Sequence, residues 1–119
     1  RKQMTIIHEI ENVDSKKFYM AGEQQSLDFS DKELKGIDEI WYYYFNMGYE
    51  GSGVALLRIG DLYSNANLGH CSCNSPQDGM YDCKLDSYIP IDKLKEVMTK
   101  ELNNEMEPIF NFMENKHVN

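Results

Sequence analysis

Residues 37–47 read IDEIWYYYFNM, with an unbroken aromatic run from Trp41 to Phe45. A β-strand sends successive side chains to opposite faces, so Trp41, Tyr43 and Phe45 share one face and Tyr42 and Tyr44 the other. Aromatic residues fit a pleated, half-buried surface far better than a helix. The stretch therefore predicts a strand with one aromatic face in the core and the other, Tyr42 and Tyr44 or their opposites, open to serve as a binding surface.

The residues that follow extend the sheet. GYEGSG (48–53) reads as a glycine-rich connection and VALLRI (54–59) as a second strand. GYEGSG lacks the lysine and the strand-loop-helix context of a phosphate loop. Gly60-Asp61 suits a two-residue hairpin turn, and LYSNANLGHCSC (62–73) returns as a third strand. The expected core is an antiparallel meander.

On the other side, MTIIHEIENV (4–13) partly alternates, placing Ile6, His8 and Ile10 on one side of a possible strand. Residues 14–36 are polar. Ser30 and Glu33 have the spacing of a capping box, which predicts a helical turn at 31–35. Single histidines near the ends, His8 and His117, read as surface residues.

Beyond residue 91 the apolar period changes. Leu94, Met98, Leu102, Met106, Ile109, Phe110 and Met113 recur at helical spacing. The pattern predicts an amphipathic helix capped by Asp92, supported by a Glu96–Lys100 pair, and kinked or restarted at Pro108. Its opposite face carries Glu96, Glu101, Glu105 and Glu107. The fold class expected is α+β: an antiparallel sheet with a C-terminal helix packed across it, all in one domain spanning 1–119.

Composition narrows the function classes. With 41% hydrophobic and 27% charged residues, the chain suits a folded protein. No apolar run is long enough to span a membrane, and the start RKQMTIIHEI lacks the pattern of a secretory signal. A cytoplasmic location is expected. The formal charge is −8, and both halves are acidic. Such a field disfavours nucleic acid and favours basic protein surfaces.

All three cysteines fall in GHCSCNSPQDGMYDC (69–83), beside a histidine. Thiolates and imidazole are the ligands zinc prefers, and Cys₃His sets are common in structural sites. His70, Cys71, Cys73 and Cys83 are the candidate ligands of a zinc-stabilised loop. Cys71 and Cys73 point the same way in an extended strand, whereas His70 would face away unless Gly69 breaks the strand. His8, His117, Asp78, Asp82 or a water then stands as the fourth ligand. A disulfide suits neither the odd count nor a reducing compartment. A nucleophilic cysteine activated by His70, or three buried small side chains, would also account for the residues.

The segments WYYYFNMGYEGSG, VALLRIGD and NLGHCSCNSP, between Trp41 and Pro76, resemble small proteins of phages and mobile elements in Gram-positive bacteria. The general character, small and acidic with a metal-like cluster, is similar to that of zinc-binding anti-CRISPR proteins. That resemblance implies a non-enzymatic inhibitor of a bacterial defence nuclease, Cas9 first among them. It also implies that His70, Cys71 and Cys73 belong to a metal-binding segment. Asp31, Asp38, Glu39, Glu96, Glu101 and Glu105 are the acids expected to meet the basic partner. The alternatives are an enzyme built on the cysteines and His70, or a small bacterial protein responsive to zinc or redox state.

Overall fold

The computed structural model describes residues 4–14, 22–46, 50–69 and 85–118. Its architecture is mixed α+β: a five-stranded sheet with a helical C-terminal part packed on one face. The aromatic stretch is the central strand β3 (Glu39–Asn46), paired antiparallel with β4 (Gly51–Ile59), which pairs antiparallel with β5 (Leu62–Asn67). Gly60 turns the β4–β5 hairpin at a φ of 60°, a conformation that favours glycine, and Ile59 pairs with Leu62 across it. The meander is as the sequence implies, although β4 begins at Gly51 and β5 ends at Asn67. Residues 70–73, read as part of the third strand, lie outside the described residues.

The N-terminal segment departs from an all-antiparallel sheet. Strand β1 (Ile6–Glu9) lies parallel to β3, with Ile6 opposite Glu39 and Glu9 opposite Tyr42. The short β2 (Glu23–Gln24) pairs antiparallel with the far end of the same edge, at Phe45 and Asn46. A parallel pair needs a long crossover, and the chain from Ile10 to Asp38 provides one. Along it, α1 (Asp31–Leu34) has the expected capping box: Ser30 accepts from the Glu33 amide, and the Glu33 carboxylate accepts from the Ser30 amide.

Alternation places the aromatic side chains as read, but both faces are buried. Trp41, Tyr43 and Phe45 join Val54 and Leu56 under the helices, against Leu94, Met98, Met106 and Ile109. On the reverse, Tyr42 and Tyr44 join Ile40, Ala55, Leu57, Ala66 and Leu68, with Leu27, Phe29 and Leu34 packed against them. Neither tyrosine is therefore a free contact surface: each is only 2% exposed. The Tyr42 hydroxyl accepts from the Leu27 amide at 2.9 Å, and burial raises its pKa.

The predicted single helix is two. Helix α2 (Ile91–Val97) starts one residue before the expected cap, with Pro90 at the N-cap position and Asp92 in the first turn. The break falls at Met98-Thr99, not at Pro108. Thr99 accepts from the Leu102 amide at 3.1 Å and so starts a new helix, α3 (Lys100–Val118). Pro108 sits inside α3. The carbonyl it leaves without a helical donor is that of Asn104, an exposed residue whose backbone water can reach. The Glu96–Lys100 pair spans the break, and Glu96 lies instead 3.7 Å from Lys93.

Gly53 lies opposite Tyr44 in the β3–β4 pair. A β-carbon there would collide with the Tyr43 carbonyl oxygen and stand 2.9 Å from the Tyr44 Cα. Both are backbone atoms of a central strand and cannot rotate away. Gly53→Ala should cost about 1–3 kcal/mol, read as a lower denaturant midpoint at unchanged slope. A midpoint equal to that of the parent would contradict this packing.

Candidate functional site

Two polar features lie on the helix-covered face of the sheet. The first is at the end where Glu39, Arg58 and Ile6 are cross-strand neighbours. The Arg58 Nε lies 3.1 Å from the Glu39 carboxylate, and its guanidinium lies 3.7 Å from Asp38 and donates to the Gly60 carbonyl. Asp38 accepts from the Gly60 amide at 2.7 Å. The His8 Nε2 is 2.6 Å from the other Glu39 oxygen. Its ring stacks on Trp41 at 5.3 Å and meets Phe112 at 5.4 Å.

This network corrects one sequence expectation. His8 is a partly buried member of a hydrogen-bonded cluster, not a surface histidine. Asp38 and Glu39, expected to face a partner, are partly buried and engaged with Arg58, Gly60 and His8. The network ties β1, β3 and the β4–β5 turn together. Its members come from distant parts of the chain, and only the pairing of β1 with β3 brings His8 to Glu39.

The second feature is a cleft of about 250 Å³ between β4, β5 and the start of α3. Cross-strand register puts Ser52, Val54 and Leu56 on the helix side of β4, with Asn67 opposite Val54 and Asn65 opposite Leu56. The same face that is aromatic on β3 carries Tyr63 and then the polar Asn65 and Asn67 on β5. Ser52, Asn65, Asn67 and Glu105 supply the polar lining and Leu102 an apolar wall. The Asn67 side chain accepts from the Gly69 amide at 2.7 Å, which fixes its orientation.

Glu105 is held over this cleft by its own backbone. Its carbonyl accepts a 2.6 Å hydrogen bond from the buried Tyr43 hydroxyl. Burial, and then the charge of Glu105, push the Tyr43 hydroxyl well above its ordinary pKa. Burial, and then the neighbouring Glu101, raise the Glu105 carboxyl. A carboxyl raised on folding destabilises the native state above its unfolded pKa and ceases to do so as pH falls. Glu105→Gln should therefore raise the melting temperature slightly at pH 7, with the gain disappearing below about pH 4. Equal melting of the two proteins at pH 7 would contradict the strain assigned to this carboxylate.

The other expected partner-facing acids are spread over the surface. Asp31 is exposed on α1, Glu96 on α2 and Glu101 on α3, with Glu105 half-buried beside the cleft. His70, Cys71, Cys73 and Cys83 lie outside the described residues. Among the described residues, no group of three or more His, Cys, Asp or Glu side chains is arranged to hold a metal ion. No helix among them is long and apolar enough to cross a membrane. Ser52, Asn65 and Asn67 drew no notice in the sequence, although the alternation of SNAN (64–67) puts both asparagines on one face. Comparison with known protein families, curated proteins and solved structures finds no match for this chain.

Proposed function

We propose that this chain is a non-catalytic, acidic docking protein of the bacterial cytoplasm that binds and inhibits a defence nuclease with a basic surface, Cas9 in the first instance. A zinc ion held by His70, Cys71, Cys73 and Cys83 would have a structural role in the loop between β5 and the helices. The sequence segments between Trp41 and Pro76 support the choice of partner, and ligand preference supports the metal.

One observation carries the docking reading: the acids of the helical part remain at the surface while an internal cation is already neutralised. Glu96, Glu101, Glu107 and Glu114 are exposed along α2 and α3. Arg58, by contrast, is committed to Asp38 and Glu39. The chain as a whole carries a formal charge of −8. Such a field speeds encounter with a basic surface and sets orientation more than it sets affinity.

The test is binding to purified Cas9 as ionic strength is varied. A complex that forms at low salt, associates about tenfold or more slowly in high salt, and blocks DNA cleavage is the expected result. Absence of a complex at low ionic strength refutes the assignment.

A further inference from the structure

Glu105 is a half-buried carboxylate facing the polar cleft, and its side chain has no hydrogen-bonding or ionic partner among the described residues. Groups that are costly to bury are ordinarily compensated. Among the described residues, the charge that acts on it is that of Glu101, which has the same sign. The rest of the polar lining is Ser52, Asn65 and Asn67, and the Asn67 side-chain carbonyl is already engaged by the Gly69 amide. Leu102 supplies an apolar wall.

We propose that this cleft is a guanidinium subsite, the place where an arginine side chain of the basic partner enters. The proposal rests on the docking reading for its partner and on the cleft for its chemistry. A guanidinium presents five donors in a planar fork, is weakly hydrated, and pairs with a carboxylate through two parallel hydrogen bonds. Its methylene stem would lie along Leu102 while the head reaches Glu105. The ammonium of lysine is more strongly hydrated and cannot make the two-point contact. Entry of a cation would also remove the strain that burial and Glu101 place on Glu105.

The probe is n-butylguanidinium chloride, titrated into the intact chain and followed by the side-chain amide signals of Asn65 and Asn67 and the backbone amides of Ser52 and Gly53. Saturable shifts confined to these groups are expected, with a dissociation constant on the order of millimolar. n-Butylammonium should bind several-fold more weakly, and sodium chloride should give no saturable change. Glu105→Gln keeps the side chain's shape and folds at least as well as the parent, so it isolates the charge. It should weaken guanidinium binding about tenfold. Shifts that never saturate, or that persist unchanged in Glu105→Gln, overturn the proposal.

The same variant separates this inference from the docking reading. If the parent binds Cas9, Glu105→Gln should weaken the complex about tenfold. A complex of undiminished affinity would remove the cleft from the interface and leave docking intact. Absence of any Cas9 complex would refute that assignment, while the titration would still decide whether the cleft takes a guanidinium.

Discussion

Removing the proposed zinc from the purified chain should lower its melting temperature by roughly 10–20 °C, the equivalent of at least about 3 kcal/mol for a domain of this size. The expectation follows from the proposed ligand set. A structural zinc contributes its binding free energy to folding, about 10–16 kcal/mol in finger peptides. A chain that has its own sheet and helices would lose only part of its order. Elemental measurement on protein made without added metal should give about one ion per chain. Cys71→Ser, Cys73→Ser and Cys83→Ser should each lower that occupancy and melt earlier. Metal-free protein with an unchanged melting curve, or serine variants that behave as the parent, would dismiss the zinc site and with it the proposed role of His70.

Leu56→Ala should be a severe truncation in the described core, at about 3–5 kcal/mol. Leu56 is fully buried at the centre of β4, with Trp41 and Asn65 as its cross-strand neighbours, in the cluster that also holds Met106 and Ile109. Removing its side chain leaves a cavity that neighbouring strands cannot close, because hydrogen bonds on both sides fix their spacing. The loss is a large share of the 5–15 kcal/mol by which proteins of this kind are stable. Leu62→Ala is the matching control. Leu62 is 41% exposed beside the hairpin turn, and its truncation should cost about 0.5 kcal/mol or less. Denaturant midpoints measure both, and similar losses for the two variants would refute the placement of the core.

Local signals in the sequence carried a good part of this architecture. The aromatic run, the VALLRI strand, Gly60 at the turn and the Ser30–Glu33 box each specify their own conformation within a few residues, and each is found where read. The parallel pairing of β1 was not legible, because nothing in MTIIHEIENV distinguishes a strand that joins β3 parallel from one that joins it antiparallel. The helix break was misplaced for a physical reason. Pro108 removes one hydrogen bond on an exposed side, which α3 tolerates, whereas Thr99 offers its own side chain to a new N-terminus and competes with helix continuation.

The polar features divide along the same line. An acid in the sequence reads as a surface charge, and Glu96 and Glu101 are indeed exposed. Asp38 and Glu39 are not free because Arg58, nineteen or twenty residues away, is carried to them by strand register. His8 reaches Glu39 only through the crossover. The cleft depends on the register of Asn65 and Asn67 against Leu56 and Val54 and on where α3 crosses. Neither is written in any short stretch.

The placement of β1 also has a consequence during synthesis. Ile6 pairs with Glu39, so the first strand has no neighbour until thirty-three more residues have been translated. At ordinary elongation rates that delay is roughly 2–7 s. When the whole chain refolds, β3, β4 and β5 pair across connections of a few residues, whereas β1 must close a loop of about thirty residues to reach β3. Strand β1 is thus translated well before its partner and seated late on refolding, where pulse-labelled amides of Ile6 and His8 should gain protection after those of Leu56 and Leu57.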